Sequence, residues 1–297
     1  MAEARSYADR YPDDTHPLFL TLPGPAAHDV QLLIEEGLLE LTETGAVSST
    51  HQFRVVCVEQ DGQAVTELNR RFPGMKIIEA SFENLISWQT QFNWPSRSDR
   101  RLFCARIVNL DLNRSFVARR THDIMVFPIL EVVRKLLEIH TNPEPIRWTL
   151  CLTLHAETPW SSHVAESART FMCENLDRDT QFRLLASSVL TNPFIERLFS
   201  GSSIDFMSLD RVEQQRFLMV FLPKKIAQLV QNRGWRLVTK QNLRYGTPPH
   251  APMATWMLEF IPQESLISTP DTAYRQALHG IFQNSTRITA AGGRAEA

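Results

Sequence analysis

Along this chain, short and nearly continuous apolar runs alternate with stretches of helical spacing. HPLFLTLPG (16–24) reads as a strand that ends in a Pro/Gly turn, and PAAHDVQLLIEEGLLEL (25–41) carries Val30, Leu33, Ile34 and Leu38 at helical intervals. FRVVCVEQD (53–61) predicts a second strand, GQAVTELNRRFP (62–73) a helix stopped by Pro73, and MKIIEA (75–80) a third strand. A polar stretch with a loop at 93–101 precedes the fourth apolar run, LFCARIVNLDLN (102–113). HDIMVFPILEVVRKLLEIH (122–140) predicts a long amphipathic helix with Pro128 near its start, and IRWTLCLTLHA (146–156) a fifth strand. Apolar runs this continuous are buried on both faces, as in a parallel sheet covered by helices.

The segment 157–210 contains helical patterns and no strand, and so predicts a helical insertion. It is followed by a helix at 212–234, interrupted or kinked at Pro223 and ended by Gly234. GWRLVTKQNLRYG (234–246) and ATWMLEFIP (254–262), joined by a Pro-rich loop, predict an antiparallel hairpin at a sheet edge. The expected architecture is α/β: a doubly wound, mostly parallel, seven-stranded Rossmann-like sheet with an antiparallel edge hairpin and a helical insertion. Residues 1–15 form an N-terminal extension, 16–262 one α/β domain with 157–210 inserted, and 263–297 a tail expected to be partly disordered.

Composition narrows the function classes. Of 297 residues, 43% are hydrophobic and 22% charged, as in an ordinary globular chain with a sizeable core. Thirty-one basic against 33 acidic residues give a net charge of −2, which disfavours a whole-surface grip on nucleic acid but leaves room for a local basic patch. The N-terminal segment is charged and no apolar run approaches the ~18 residues of a membrane span, so a cytoplasmic protein without membrane contact is expected. Cys57, Cys104, Cys151 and Cys173 are widely spaced, and the histidines show no His-x-x-x-His or His-Cys pairing. Core thiols and no metal site are expected. The chain lacks a Gly-x-x-x-x-Gly-Lys-Ser/Thr phosphate loop, a Gly-x-Gly-x-x-Gly dinucleotide turn and a Gly-x-Ser-x-Gly nucleophile elbow.

In an open α/β sheet, ligands lie beyond the carboxyl ends of the strands where strand order reverses. Gly24 falls in the turn after the first strand, flanked by Pro23 and Pro25. Glu59 ends the second strand, and Asp61 lies nearby and suits a helix cap. Ala80-Ser81-Phe82 follows the third strand, although Ser81 before Glu83 also suits a helix start. In Asn109-Leu110-Asp111-Leu112-Asn113 the three polar side chains share a face if the fourth strand continues. A strand-end cap would use the same residues. His155, at the end of the fifth strand, is the histidine expected to face the pocket.

The order of five alternating strands, a helix and a terminal hairpin resembles the class I S-adenosylmethionine-dependent methyltransferase fold, whose seventh strand is inserted antiparallel. The resemblance spans about residues 16–262 and rests on element order and three short motifs. It implies S-adenosylmethionine as cofactor, with Gly24 beside it, Glu59 or Asp61 on the ribose, and Ser81 or Phe82 at the adenine. It also implies that Asp111, with Asn109 or Asn113, orients an acceptor amine. The stretch NLDLN is similar to the Asp-Leu-Asp stretch of certain tRNA guanine methyltransferases, and Arg114, Arg119, Arg120, Lys224 and Lys225 would then meet phosphates of a nucleic acid. The first turn has one glycine where methyltransferases have several, and the prolines that follow the acceptor motif in amino-methylating members are missing. Both departures suit a second expectation, a methyltransferase-like scaffold without catalysis that serves as a binding subunit for a protein partner.

Overall fold

The structure is a computed structural model that describes residues 1–297 except 13, 25, 83–100, 113–118, 122–123, 127, 142–143, 157–161, 202–207, 231–232, 246–251, 264–284, 289–293 and 297. It divides into two compact units, Met1–Asp111 with Arg134–Cys151, and Leu112–Val133 with Leu152–Ala297.

The first unit opens with helix α1 (Ala2–Arg10), followed by β1 (Phe19–Thr21), α2 (His28–Glu35), β2 (Val55–Glu59), α3 (Gly62–Arg71), β3 (Lys76–Glu79) and β4 (Ile107–Leu112). Strand β1 pairs in parallel with β2 on one side and β4 on the other, and β2 pairs in parallel with β3. Next to β4 runs β7 (Trp148–His155), where the Thr149 N–H donates to the Arg106 carbonyl. The order in this unit is therefore β3-β2-β1-β4-β7. It reverses between β1 and β4, the place where an open α/β sheet holds its ligands.

Side-chain alternation explains the two covered faces. Phe19, Val55, Cys57 and Ile107 share one core with Val30 and Leu33 of α2, Leu68 of α3, and Ala4 and Tyr7 of α1. Leu20, Val56, Val58, Val108 and Leu110 point the other way and are also buried. The N-terminal extension thus contains a helix that belongs to the core, anchored by Ala4 and by Tyr7, whose hydroxyl lies 3.2 Å from that of Thr149. Cys57 and Cys104 are buried, Cys151 and Cys173 partly so, and all four are free thiols. Burial raises the Cys104 and Cys151 pKa to about 12.

The helix expected from residue 122 begins at Pro128 instead, as α4 (Pro128–Thr141). Proline suits the first turn, where no N–H is needed, and the residues before it form the short antiparallel pair β5 (Arg119–Thr121) and β6 (Ile124–Val126), of which β6 is apolar with β-branched ends.

In the second unit the insertion is helical, as expected, with α5 (Ser162–Arg178), α6 (Thr180–Leu190) and α7 (Asn192–Ser200). Helix α8 (Arg211–Val230) runs through Pro223. Strands β8 (Trp235–Tyr245) and β9 (Met253–Pro262) form the expected antiparallel hairpin. The second half of β7 lies next to β9: the Ala156 N–H donates to the Pro252 carbonyl, and the hydroxyls of Thr153 and Thr255 are 2.9 Å apart. As the β7 numbers rise the β9 numbers fall, so β9 is an inserted antiparallel strand between β7 and β8. Two short strands that the hydrophobic pattern does not predict, β10 (Ser285–Ile288) and β11 (Arg294–Glu296), add beyond β8. An open strand edge supplies the backbone partners that their own sequence does not advertise.

His140 shows how tightly the first unit is sealed. Its Nδ1 and Nε2 lie 2.7 and 2.9 Å from the carbonyls of Leu136 and Ala105, and its ring stacks on Trp148 at 4.2 Å. Complete burial lowers its pKa to about 4, against the opposite pull of the two carbonyls. A depressed histidine pKa favours the neutral folded form, so its stabilisation is present above the unfolded value of 6.5 and is lost as pH falls towards the folded value. Asp14, the strongly lowered carboxylate, contributes stability above the ordinary value of 3.8 and loses it as pH falls from there towards its lowered value. Of the stability lost between pH 7 and pH 4 in urea unfolding, about 3 kcal/mol should come from His140, and His140→Gln should remove that share, while His51, whose pKa burial also lowers, keeps its own.

Candidate functional site

At the carboxyl end of the parallel strands, the polar residues come from four elements of the first unit. Thr21 closes β1 in register with Asn109 of β4 and is fully buried. The Asn109 amide donates to the Thr21 hydroxyl at 3.3 Å, and that hydroxyl in turn donates to Asp29 in the first turn of α2. A buried hydroxyl with both an incoming and an outgoing bond is satisfied, so this relay fixes the start of α2 against the ends of β1 and β4. Asp29 also accepts from the Val30 N–H at 3.0 Å.

Strand β4 continues through Leu112, so Asn109 and Asp111 do lie on one face, while Leu110 and Leu112 are buried on the other. Asn113 is outside the described residues. The Asp111 side chain reaches solvent. Desolvation by the adjoining protein, and after it the charge of Asp29, push its pKa upward. A carboxylate of this kind takes up a proton more readily than a free one and is suited to accept a proton or hydrogen bond from a cationic amine.

Glu59 ends β2, half-buried. Its Oε1 accepts from the N–H groups of Gln60 and Asp61 at 2.8 and 3.0 Å, which locks the carboxylate; among the described residues Oε2 makes no hydrogen bond. Asp61 has a different job. Its Oδ1 accepts from the Gln63 and Ala64 N–H groups at 2.8 and 3.4 Å and caps α3. Ser81 is half-buried after β3, and Phe82 beside it is buried.

The turn after β1 keeps its one glycine for a conformational reason. Gly24 has φ +55°, and a Cβ built there would meet open space rather than a neighbouring atom. Three residues later Ala27, fully buried, holds φ +48° at the N-cap of α2, a left-handed conformation that costs a non-glycine residue about 1 kcal/mol or more. The strained turn therefore leaves space beside Gly24 and sets the angle at which α2 and Asp29 enter.

Thr21 and Asp29 are the members that sequence reasoning missed. Their signal was a threonine inside the apolar FLTL run and an acid in the first turn of the following helix. Arg114 lies outside the described residues, and Arg119 and Arg120 belong to β5 in the second unit. The expectation that Lys224 meets phosphate is corrected: it is buried, with Nζ 3.2 Å above the centre of the Phe182 ring, and burial lowers its pKa to about 6. Lys225 lies over Phe171 at 3.7 Å. His155 is the last residue of β7 and belongs to the second unit. Among the described residues no group of three or more histidine, cysteine or acidic side chains could hold a metal ion, and no helix is long and apolar enough to cross a membrane.

The division of labour between the two acids of the β2 turn is measurable. Asp61→Ala should cost about 0.5–2 kcal/mol in urea unfolding, and Asp61→Asn, which also caps, should cost little. Comparison of the chain with models of known protein families and with curated proteins finds no match.

Proposed function

We propose that the protein is an S-adenosylmethionine-dependent methyltransferase acting on an amine. The observation that carries this reading is the strand order, β3-β2-β1-β4-β7 followed by an antiparallel β9 inserted before β8, with a locked carboxylate at the end of β2. The donor set suits this cofactor. Glu59 Oε2 is an acceptor for ribose hydroxyls, the open space at Gly24 admits a ligand close to the backbone, and Phe82 offers an apolar neighbour for adenine.

When bound, S-adenosylmethionine supplies an electrophilic methyl group on a sulfonium. The chain's own contribution is placement and charge. Asp29, Glu59 and Asp111 make the rim of the site acidic, which favours a cationic cofactor and an amine acceptor over a phosphate-rich one. Asp111 accepts a hydrogen bond from the acceptor nitrogen, points its lone pair and takes the proton that the methylated amine must lose. Asn109, held by Thr21, keeps its carbonyl oxygen for the same nitrogen.

The scaffold reading rests on the same relay: Asn109, Thr21 and Asp29 satisfy one another without a ligand, as residues of a strand-end brace would. In that case a protein partner replaces the acceptor and no transfer occurs.

Two measurements separate the readings. In calorimetry Glu59→Gln should weaken S-adenosylmethionine binding about tenfold to a hundredfold, the worth of one charge-assisted hydrogen bond. In transfer assays against pooled cellular protein, RNA and DNA, Asp111→Ala should abolish methylation while cofactor affinity stays nearly unchanged. The acid limb of the wild-type rate should lie above the range of a free aspartate, because protonation of Asp111 removes its acceptor and its pKa is raised. Equal transfer by both proteins rejects the role of Asp111, and absence of binding and transfer in the wild type rejects the methyltransferase.

A further inference from the structure

The opposite ends of the same strands carry a cavity. It has a volume of about 420 Å³, within the range of small-molecule sites, and its lining belongs wholly to the first unit: the end of α1, the chain leading into β1, the turn before β2 and Arg106 before β4. Tyr7 and Tyr11 stack with ring centres 6.2 Å apart, and the half-exposed Phe53 adds a third aromatic ring to the lining.

The charged side chains described in this cavity are unequally partnered. Among the described lining residues Asp14 is the one carboxylate, and it is spent: Arg106 donates to its Oδ2, and the backbone and ring of His16 meet its Oδ1 at 3.0 and 2.7 Å. Burial works to raise the Asp14 pKa, but His16 and Arg106 outweigh it and hold the group well below the usual carboxylate range. Arg106 is further committed to the Arg147 carbonyl at 3.1 Å and to the Tyr11 ring at 4.1 Å.

Arg54 is different. Its Nε is buried without a hydrogen-bond partner, and it forms no ion pair among the described residues. Its nearest polar contact is His51 Nε2, 3.5 Å from Nη1. His51 Nδ1 accepts from the Glu40 N–H at 3.0 Å, so a neutral ring carries its proton on Nε2 and cannot accept from Arg54. Two donors therefore face one another with no acceptor between them, and a half-buried guanidinium without an anion is costly.

We propose that this cavity binds a small organic anion with a flat apolar body, an aryl carboxylate or aryl phosphate, whose oxyanion is taken by Arg54 and the His51 Nε2–H and whose ring lies among Tyr11, Tyr7 and Phe53. The site is independent of the carboxyl-end site, since its residues precede the strands rather than follow them.

Benzoate, phenyl phosphate, inorganic phosphate and benzyl alcohol are titrated into the full chain by calorimetry and ligand-observed NMR. Benzoate or phenyl phosphate should bind at millimolar concentration or tighter, and whichever binds more strongly identifies the oxyanion. Inorganic phosphate and benzyl alcohol should each bind about tenfold more weakly or not at all, because each lacks one half of the recognition. Arg54→Gln should weaken the aryl anion about tenfold or more, Phe53→Ala should weaken it without disturbing the fold, and Glu59→Gln should leave it unchanged. Should Arg54→Gln fail to fold, Phe53→Ala decides. The proposal is overturned if neither aryl anion binds, if inorganic phosphate matches phenyl phosphate, or if binding ignores both cavity substitutions while responding to Glu59→Gln.

Discussion

Burial of both faces of the parallel strands is the constraint on which the rest of the first unit depends. Leu20, Val56, Val58 and Val108 on one side and Phe19, Val55, Cys57 and Ile107 on the other leave no exposed face for polar chemistry. Polar groups along such strands are tolerated only where the strand ends or where a partner satisfies them. Thr21 is the instructive case, a buried hydroxyl kept because Asn109 and Asp29 complete its bonds. The polar side chains of β1, β2 and β4 therefore gather at the ends of these strands.

Those two ends have opposite character. The carboxyl end gathers Asp29, Glu59 and Asp111, and two of the three carboxylates already hold backbone N–H groups. Among the described residues the amino end gathers Arg54 and Arg106, with one carboxylate, Asp14, shared between Arg106 and His16. An acidic rim favours cationic ligands and a basic cavity favours anions. The polarity comes from the side chains that flank each strand end.

The element order was legible because strands with both faces covered need continuous apolar runs, and because helix α3 announces itself with an Asp61 cap and a Pro73 stop. The hairpin was legible from two long apolar stretches around a proline-rich loop. The start of α4 was not legible, since apolar residues such as Ile124–Val126 fit helix and strand equally and only Pro128 distinguishes them. Within the site, Glu59 and Asp111 could be placed from their positions at strand ends. The Lys224 assignment failed because a lysine in sequence looks solvated, and only the packing of α8 puts its ammonium on the Phe182 ring.

By itself, then, the sequence determined the α/β class and the strand-end positions of Glu59, Asn109 and Asp111, which follow from local pattern and spacing. Tertiary structure decided which residues share a hydrogen-bond relay, that α1 belongs to the core, that β9 inserts antiparallel beside β7, and that a basic cavity lies at the amino ends of the strands. The reason is physical: strand order, register and the partner of a buried polar atom depend on contacts between residues dozens of positions apart. Thr21 with Asn109 and Asp14 with Arg106 are such pairs, and no periodicity within one segment records them.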